Sequence, residues 1–158
     1  MATYPIALRW TPITAGKVFE WGYSTESGGE APGLGVMASL DGDAIWRGVG
    51  LMPDPLPSGT ATIAIWGRAN AATGVAKVNT KWVCSAAGSP LGSASVVAEG
   101  VDTYTWTAGQ NNNMKRRTIV LDASTLTAGA WIKVDLTFET SSWTLAAQSW
   151  WWAVISWE

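Results

Sequence analysis

WIKVDLTFE, residues 131–139, alternates apolar and polar side chains along its length. Every second residue from Ile132 to Phe138 is apolar, and every second residue from Lys133 to Glu139 is polar or charged. A period of two is typical of an antiparallel strand with one buried side and one solvated side. This stretch therefore predicts a sheet that covers a core with one of its faces.

The same alternation recurs in TATIAIWGRA (residues 60–69) and in VAKVNTKWVC (residues 75–84). NAATG, residues 70–74, lies between these two stretches and predicts a hairpin connection. Clusters of Gly, Pro, Asp and Ser separate further predicted strands at 36–40, 44–51, 93–99, 104–107, 117–121, 131–138 and 149–156. Since no stretch predicts a convincing helix, we expect an all-β fold in which short antiparallel strands close as a sandwich or a barrel.

The first 35 residues differ from the rest of the chain. They contain Pro12 and Pro32 around a middle rich in Gly, Ser and Glu, with a short predicted strand at 18–21. Two interpretations remain open: residues 1–35 form an extended N-terminal arm, or they form a peripheral strand segment of the same domain. Residues 36–158 are predicted to form the main β-domain.

Composition excludes several functional classes. The chain has 10 Lys and Arg against 12 Asp and Glu, a formal net charge of −2, so we expect no nucleic-acid partner. It contains no histidine, which excludes Ser-His-Asp triads and imidazole metal sites. Cys84, at the end of an apolar run, predicts a buried and unreactive thiol. We therefore expect no enzyme activity, no catalytic residues, no metal site and no cofactor.

Neither a leader pattern nor an apolar run long enough for a membrane helix is visible in the sequence. We expect synthesis in the cytoplasm and no membrane partner. LDGDA brings Asp41 and Asp43 together, but it lacks the ligand spacing of a calcium loop and favours a hairpin turn. A hydrolase that uses Asp41, Asp43 or Glu99 is the weakest functional hypothesis, because their spacing nominates no catalytic pair.

Twelve tryptophans exceed what one core of this size normally absorbs, so some indoles are expected at a surface or an interface. In the last strand, the odd positions from Trp151 to Trp157 form one apolar face that predicts a core contact. The even positions, which include Trp150 and Trp152, form a second face that needs another cover. The N-terminal arm, a second subunit and a carbohydrate are the three candidates.

QNNNMKRR, residues 110–117, predicts either a solvated loop or a contact patch that offers amides and cations to a partner. No position in the chain predicts a catalytic, cofactor-binding or metal-binding role. The residues predicted to contact a partner or another subunit are Trp10, Trp21, Trp150, Trp152, Arg116 and Asn112.

Residues 40–86 and 116–139 together resemble a sequence pattern of tailed-bacteriophage structural proteins. Its elements are an MP turn, a strand that ends in Trp, a Gly-Val return with a second Trp-bearing strand, and a late strand after Ala-Gly. The matching positions are Met52, Pro53, Ile63 to Trp66, Gly74, Val75, Trp82 and Leu126 to Lys133.

This resemblance implies that residues 36–158 form an antiparallel β-sandwich of jelly-roll type. It implies a structural virion protein that decorates or cements a capsid, or forms head fibres. It also implies a location on the capsid exterior. The implied partners are the major capsid protein lattice and further copies of the chain, as a homo-oligomer and by analogy a trimer. The alternative hypothesis is a carbohydrate-binding or receptor-binding module on the same scaffold, with Trp46, Trp106 or Trp143 as the stacking platform.

Overall fold

The structure is a computed structural model that describes residues 6, 8–13, 21–23, 32–36, 44–69, 72–85, 98–111, 113–139, 144 and 149–158. The strands of this part of the chain are β1 Arg9–Pro12, β2 Trp21–Tyr23, β3 Pro32–Val36, β4 Ala44–Leu51, β5 Ala61–Ala69, β6 Gly74–Cys84, β7 Ala98–Trp106, β8 Lys115–Val120, β9 Trp131–Phe138 and β10 Ser149–Trp157. A 3-10 turn at Ala123–Thr125 precedes β9, and Asp122 caps it by accepting from the Ser124 N–H at 2.9 Å.

The strands form two five-stranded antiparallel sheets. Sheet 1 has the order β1-β4-β9-β6-β7, and sheet 2 has the order β2-β3-β10-β5-β8. From β3 to β10, the chain changes sheet at every step except between β6 and β7. Without the edge strands β1 and β2, each sheet has four strands, in the orders β4-β9-β6-β7 and β3-β10-β5-β8. These two strand orders are those of an eight-stranded jelly roll. The predicted antiparallel, jelly-roll-like β-sandwich is confirmed.

The prediction of a hairpin at residues 70–74 is wrong. β5 belongs to sheet 2 and β6 to sheet 1, so this connection crosses from one sheet to the other. In both strands every second residue is buried in the shared core, and the residues between them are at least partly exposed from Trp66 to Arg68 of β5 and from Val75 to Lys81 of β6. Thr62 and Ala64, on the outer side of β5, are buried. Alternation identifies the buried face of a strand, but it carries no information about the sheet to which the strand belongs.

The described parts of residues 1–35 are strands at the periphery of the sandwich. β1 pairs with β4 at one edge of sheet 1, and β2 pairs with β3 at one edge of sheet 2. Ile6 forms an isolated antiparallel bridge with Ile155. The boundary predicted after residue 35 falls inside β3, and the division of the chain into two segments stays a prediction.

The core between the sheets is dominated by aromatic side chains. Trp151 of β10 is fully buried and packs edge-on against Tyr104 at a centroid distance of 4.7 Å and against Trp106 at 6.1 Å. Its ring centroid lies 5.4 Å from that of Phe138, and its Nε1 donates to Ser149 Oγ at 2.9 Å. The odd positions of β10 therefore fill the core, as predicted.

Gly67 of β5 is the register partner of Trp151, and the indole lies over its backbone. A Cβ atom at position 67 would lie 2.4 Å from Trp151 Cζ3, well inside van der Waals contact. Glycine is therefore required here by the close approach of the ring. The prediction that Cys84 is buried is confirmed, since it lies in the same core without a disulfide partner, and its lack of reactivity stays a prediction.

Candidate binding surface

One row of side chains crosses the outer face of sheet 2. Trp152 of β10 pairs in register with Trp66 of β5, which pairs in turn with Arg116 of β8. The two indole centroids are 5.6 Å apart with an interplanar angle of 37°, and Arg116 Cζ lies 5.5 Å from the Trp66 ring centroid. We call these three residues the indole row.

The indole row is accessible. Trp152 is 47% exposed and Trp66 is half-buried beneath its neighbours. Trp152 points outward because the adjacent Trp151 points into the core, and successive side chains of a strand alternate between faces. Exposed indoles on a sheet face outside the core are typical of an interaction surface.

The rows on the two sides of the indole row differ in size. The next row on one side consists of Val154, Ala64 and Thr118. The next row on the other side contains Arg68 of β5, which pairs in register with Trp150. The surface is therefore low on one side of the indole row and carries the longer side chain of Arg68 on the other.

The structure brings two of the predicted contact residues together, because Trp152 and Arg116 are the two ends of the indole row. Trp10 is half-buried against the core, and its ring lies over Gly48 of β4. Trp21 and Trp150 have described backbones in β2 and β10, whereas their side chains and the whole of Asn112 lie outside the described residues. Their role as contact residues stays a prediction.

Sequence reasoning missed Trp66 as a site residue. Its position on the polar face of TATIAIWGRA was the available signal, because an indole among outward-facing residues is unusual. Two of the three predicted stacking residues are wrong: Trp46 is 3% exposed and Trp106 is 1% exposed, since both occupy inward positions of their strands. Trp143 lies outside the described residues.

The outer face of sheet 1 has a different character. Arg47 of β4 donates from Nε and Nη2 to the two carboxylate oxygens of Asp135 at 2.7 and 2.8 Å, and this hydrogen bonding raises the pKa of Arg47 against a smaller opposing effect of burial. Lys77 pairs with Glu139 at 2.9 Å. Trp131 is 50% exposed at one end of this face. Among the described residues, sheet 1 therefore presents ion pairs and the exposed indole of Trp131.

Asp102 and Arg117 lie where the edge strands β7 and β8 meet. Burial raises the pKa of the Asp102 carboxyl, and Arg117, 4.0 Å away, opposes this shift. The neighbouring Tyr104 hydroxyl donates to the Ile65 carbonyl at 3.2 Å, and burial is the main reason why its pKa is raised.

The shift at Asp102 predicts a pH-dependent stability. A raised pKa means that the folded protein holds the proton more tightly than the unfolded chain, so stability is lost as the pH rises through the folded pKa. Asp102→Asn is therefore expected to raise the free energy of unfolding at pH 7 by less than about 1 kcal/mol, and the difference should vanish near pH 3. Thermal unfolding followed by circular dichroism at both pH values measures it. A lower midpoint for the variant at pH 7 would mean that attraction to Arg117 outweighs desolvation.

Other predicted groups do not assemble into a site in the described part of the chain. Asp41 and Asp43 lie outside it, and of Glu99 only the backbone, in β7, is described. No group of three or more Cys, Asp or Glu side chains that suits a metal ion occurs among the described residues. The described residues also contain no helix with the length and apolarity needed to cross a membrane.

No family model matches the chain, and no curated protein is similar to it in sequence. Solved structures are similar in fold. An arabinose-bound α-L-arabinofuranosidase superposes with a TM-score of 0.55 and 10% identity, over 94% of this chain and 23% of that chain. At this identity the likeness extends to the fold alone, and it agrees with the β-sandwich.

Two carbohydrate-binding modules superpose less closely. A family 11 module from Clostridium thermocellum, in complex with a β-1,3-1,4-mixed-linked tetrasaccharide, has a TM-score of 0.49 and 11% identity over 96% of this chain and 95% of that chain. The module TmCBM61, in complex with β-1,4-galactotriose, has a TM-score of 0.41 and 15% identity over 94% of this chain and 83% of that chain.

Proposed function

We propose that this chain is a non-catalytic module that binds carbohydrate on the outer face of sheet 2. The observation that carries the proposal is the pair of neighbouring outer-face indoles, Trp66 and Trp152, whose ring centroids are 5.6 Å apart. They sit on adjacent strands of the sheet, with small side chains on one side and Arg68 on the other.

This arrangement suits a sugar for physical reasons. The C–H groups on one face of a pyranose ring form an apolar patch, and an indole offers a matching flat surface with negative charge above its ring. Stacking removes apolar area of both partners from water while the sugar hydroxyls keep their hydrogen bonds with solvent or nearby polar groups. Because Trp66 and Trp152 are held by the pairing of β5 with β10, little conformational entropy is lost on binding.

Binding measurements on single variants test the proposal. We expect Trp152→Ala and Trp66→Ala each to weaken binding of an oligosaccharide about tenfold or more, since a buried Trp contact commonly dominates an interface. Trp131→Ala is the matched control, because Trp131 is an exposed indole on the opposite sheet. Affinity electrophoresis against mixed-linkage β-glucan, β-1,4-galactan and arabinan selects the ligand, and calorimetry then measures affinity for each variant.

Two results would contradict the proposal: an unchanged mobility of the wild-type chain with every polysaccharide, or an equal loss of binding in Trp131→Ala. Circular dichroism spectra of all three variants test whether the fold is intact. Trp152 and Trp66 lie outside the core, so we expect their substitution to leave the sandwich folded.

A structural virion protein is the second candidate. The exposed apolar side chains of Trp152 and Val120, the latter 64% exposed, would suit contact with another protein as well. Under this hypothesis the same face binds a second copy or a capsid lattice on the virion exterior. Sedimentation of wild type and Trp152→Ala separates the two candidates: a wild-type oligomer that dissociates in the variant and binds no polysaccharide would favour the virion protein.

A further inference from the structure

We propose that the sugar stacks on Trp152 alone, against the indole face turned toward β3, and that the ligand is a single soluble glycan chain rather than a crystalline polysaccharide surface. This inference rests on the proposed function and specifies its ligand class. The arrangement of Trp66, Trp152 and Arg116 across sheet 2 carries it.

The indoles of Trp66 and Trp152 face each other across neighbouring strands. Their ring centroids are 5.6 Å apart and their planes differ by 37°. This separation is close to the spacing of about 4.8 Å between paired strands. Two indoles lying flat on the sheet, side by side, would be separated by at least a full ring width, so these rings rise from the sheet and overlap in part face to face. Each indole therefore has one face turned to the other.

The second face of Trp66 is covered by Arg116. β5 lies between β10 and β8, so Trp152 and Arg116 approach Trp66 from opposite sides. Arg116 Cζ lies 5.5 Å from the Trp66 ring centroid, and a hydrogen bond from Arg116 Nη2 to Glu158 helps to hold the guanidinium there. Trp66 thus has a partner on each face, in agreement with its partial burial.

The second face of Trp152 is turned toward β3, where the chain carries glycine. Leu34 of β3 pairs with Trp151. The same register places Gly33 beside Trp152, and Gly33 pairs in turn with Gly22 of β2. No side chain rises from these two positions, which leaves space above the backbone beside the indole. The 47% exposure of Trp152 agrees with this open face.

This space suits one glycan chain. A sugar that stacks on Trp152 stands upright on the sheet, with the C–H groups of one face against the indole and its other face toward solvent. A crystalline polysaccharide instead presents many rings in one flat plane, and stacking on it requires indoles that lie flat and coplanar at the protein surface. The overlap of Trp66 with Trp152 and the 37° between their planes do not provide that platform.

Trp66 and Arg116 then act on the ligand through Trp152, as positioning residues. Contact with Trp66 fixes the orientation of the Trp152 indole before the sugar arrives, so less side-chain entropy is lost on binding. A small side chain at position 66 would let the Trp152 ring tip toward β5. Another aromatic ring at position 66 would keep the support.

Ring substitutions separate direct contact from positioning. For the soluble oligosaccharide selected above, Trp152→Phe should bind about fivefold more weakly, since the smaller ring covers less of the sugar, and Trp66→Phe should stay within about twofold of the wild type. Arg116→Ala should weaken binding a few-fold in the wild-type chain and have no effect in the Trp66→Ala background, because it acts through Trp66. Trp131→Ala should match the wild type.

Two further measurements test the contact and the ligand class. In fluorine NMR of the chain labelled with 5-fluorotryptophan, the signals of Trp66 and Trp152 are assigned by their loss in the two phenylalanine variants. Saturating oligosaccharide should shift the Trp152 signal more than the Trp66 signal. Microcrystalline cellulose and crystalline chitin should leave the wild-type chain in the supernatant after centrifugation.

Three results would overturn the inference. They are retention of the wild-type chain by either crystalline solid, an equal loss of affinity in Trp66→Phe and Trp152→Phe, and a ligand-induced shift of the Trp66 signal as large as that of Trp152. Each of them, combined with carbohydrate binding that Trp152→Ala weakens, would leave the proposed function standing. Absence of binding to every polysaccharide would remove the proposed function itself.

Discussion

Trp151→Ala is expected to lower the free energy of unfolding by about 3–5 kcal/mol, a large fraction of the stability of a domain of this size. Trp151 is fully buried and touches Tyr104, Trp106 and Phe138, so its removal leaves a cavity in the centre of the core. It also leaves Ser149 Oγ without the indole N–H that it accepts. Urea denaturation followed by circular dichroism measures the loss.

The neighbouring residue gives the matched control for this prediction. Trp152→Ala removes an equally large side chain from the same strand, but from a position that is 47% exposed on the opposite face. We expect its cost to stay below about 1 kcal/mol. Trp151→Phe keeps a ring in the core and should lose less than the alanine variant. Equal destabilisation by the changes at 151 and 152 would mean that β10 does not present these two side chains to opposite faces.

Gly67→Ala is expected to destabilise the fold by about 1–3 kcal/mol, although it adds a single methyl group. The new Cβ would lie 2.4 Å from Cζ3 of Trp151, whose ring is enclosed on all sides and cannot retreat. Gly100→Ala is the control. A Cβ atom at position 100 would lie 3.1 Å from Cδ1 of Ile119, the flexible end of that side chain. Alanine also restricts the unfolded chain more than glycine does, and this stabilising effect offsets the cost of the close contact. We expect its midpoint of thermal unfolding to match the wild type closely.

The double variant of Gly67→Ala with Trp151→Phe tests whether Gly67→Ala destabilises the fold through a steric clash with the indole. If the methyl group acts by collision with the indole, the cost of Gly67→Ala should shrink in a Trp151→Phe background, and the two changes should not be additive. Additive costs would show that the methyl group acts elsewhere, and would remove the steric explanation.

Local patterning predicted much of the fold. The strands expected at 44–51 and 131–138 coincide with β4 and β9, and the expected strand at 149–156 differs from β10 by one residue. These strands are visible in the sequence because one of their faces meets the core at every second residue. The partners of each strand were not visible, since β5 and β6 alternate in the same way but belong to different sheets.

The candidate site was predictable only in part, for the same reason. Trp152 and Arg116 stood out as outward-facing or loop-adjacent residues, whereas their connection through Trp66 depends on two strand registers between distant segments. Trp46 and Trp106 carried the same compositional signal as Trp152. Only their inward positions in β4 and β7 distinguish core indoles from exposed ones.

The strand order of the jelly roll also bears on how the chain folds. Apart from β2 with β3 and β6 with β7, each strand pairing described in the two sheets joins strands that are not consecutive in the chain. The ion pair between Arg47 and Asp135, for instance, closes a separation of 88 residues. The entropy of closing such loops must be lost before the contacts form, so it adds to the kinetic barrier. We therefore expect this chain to fold slowly, because its aromatic core forms only after strands distant in the sequence have paired.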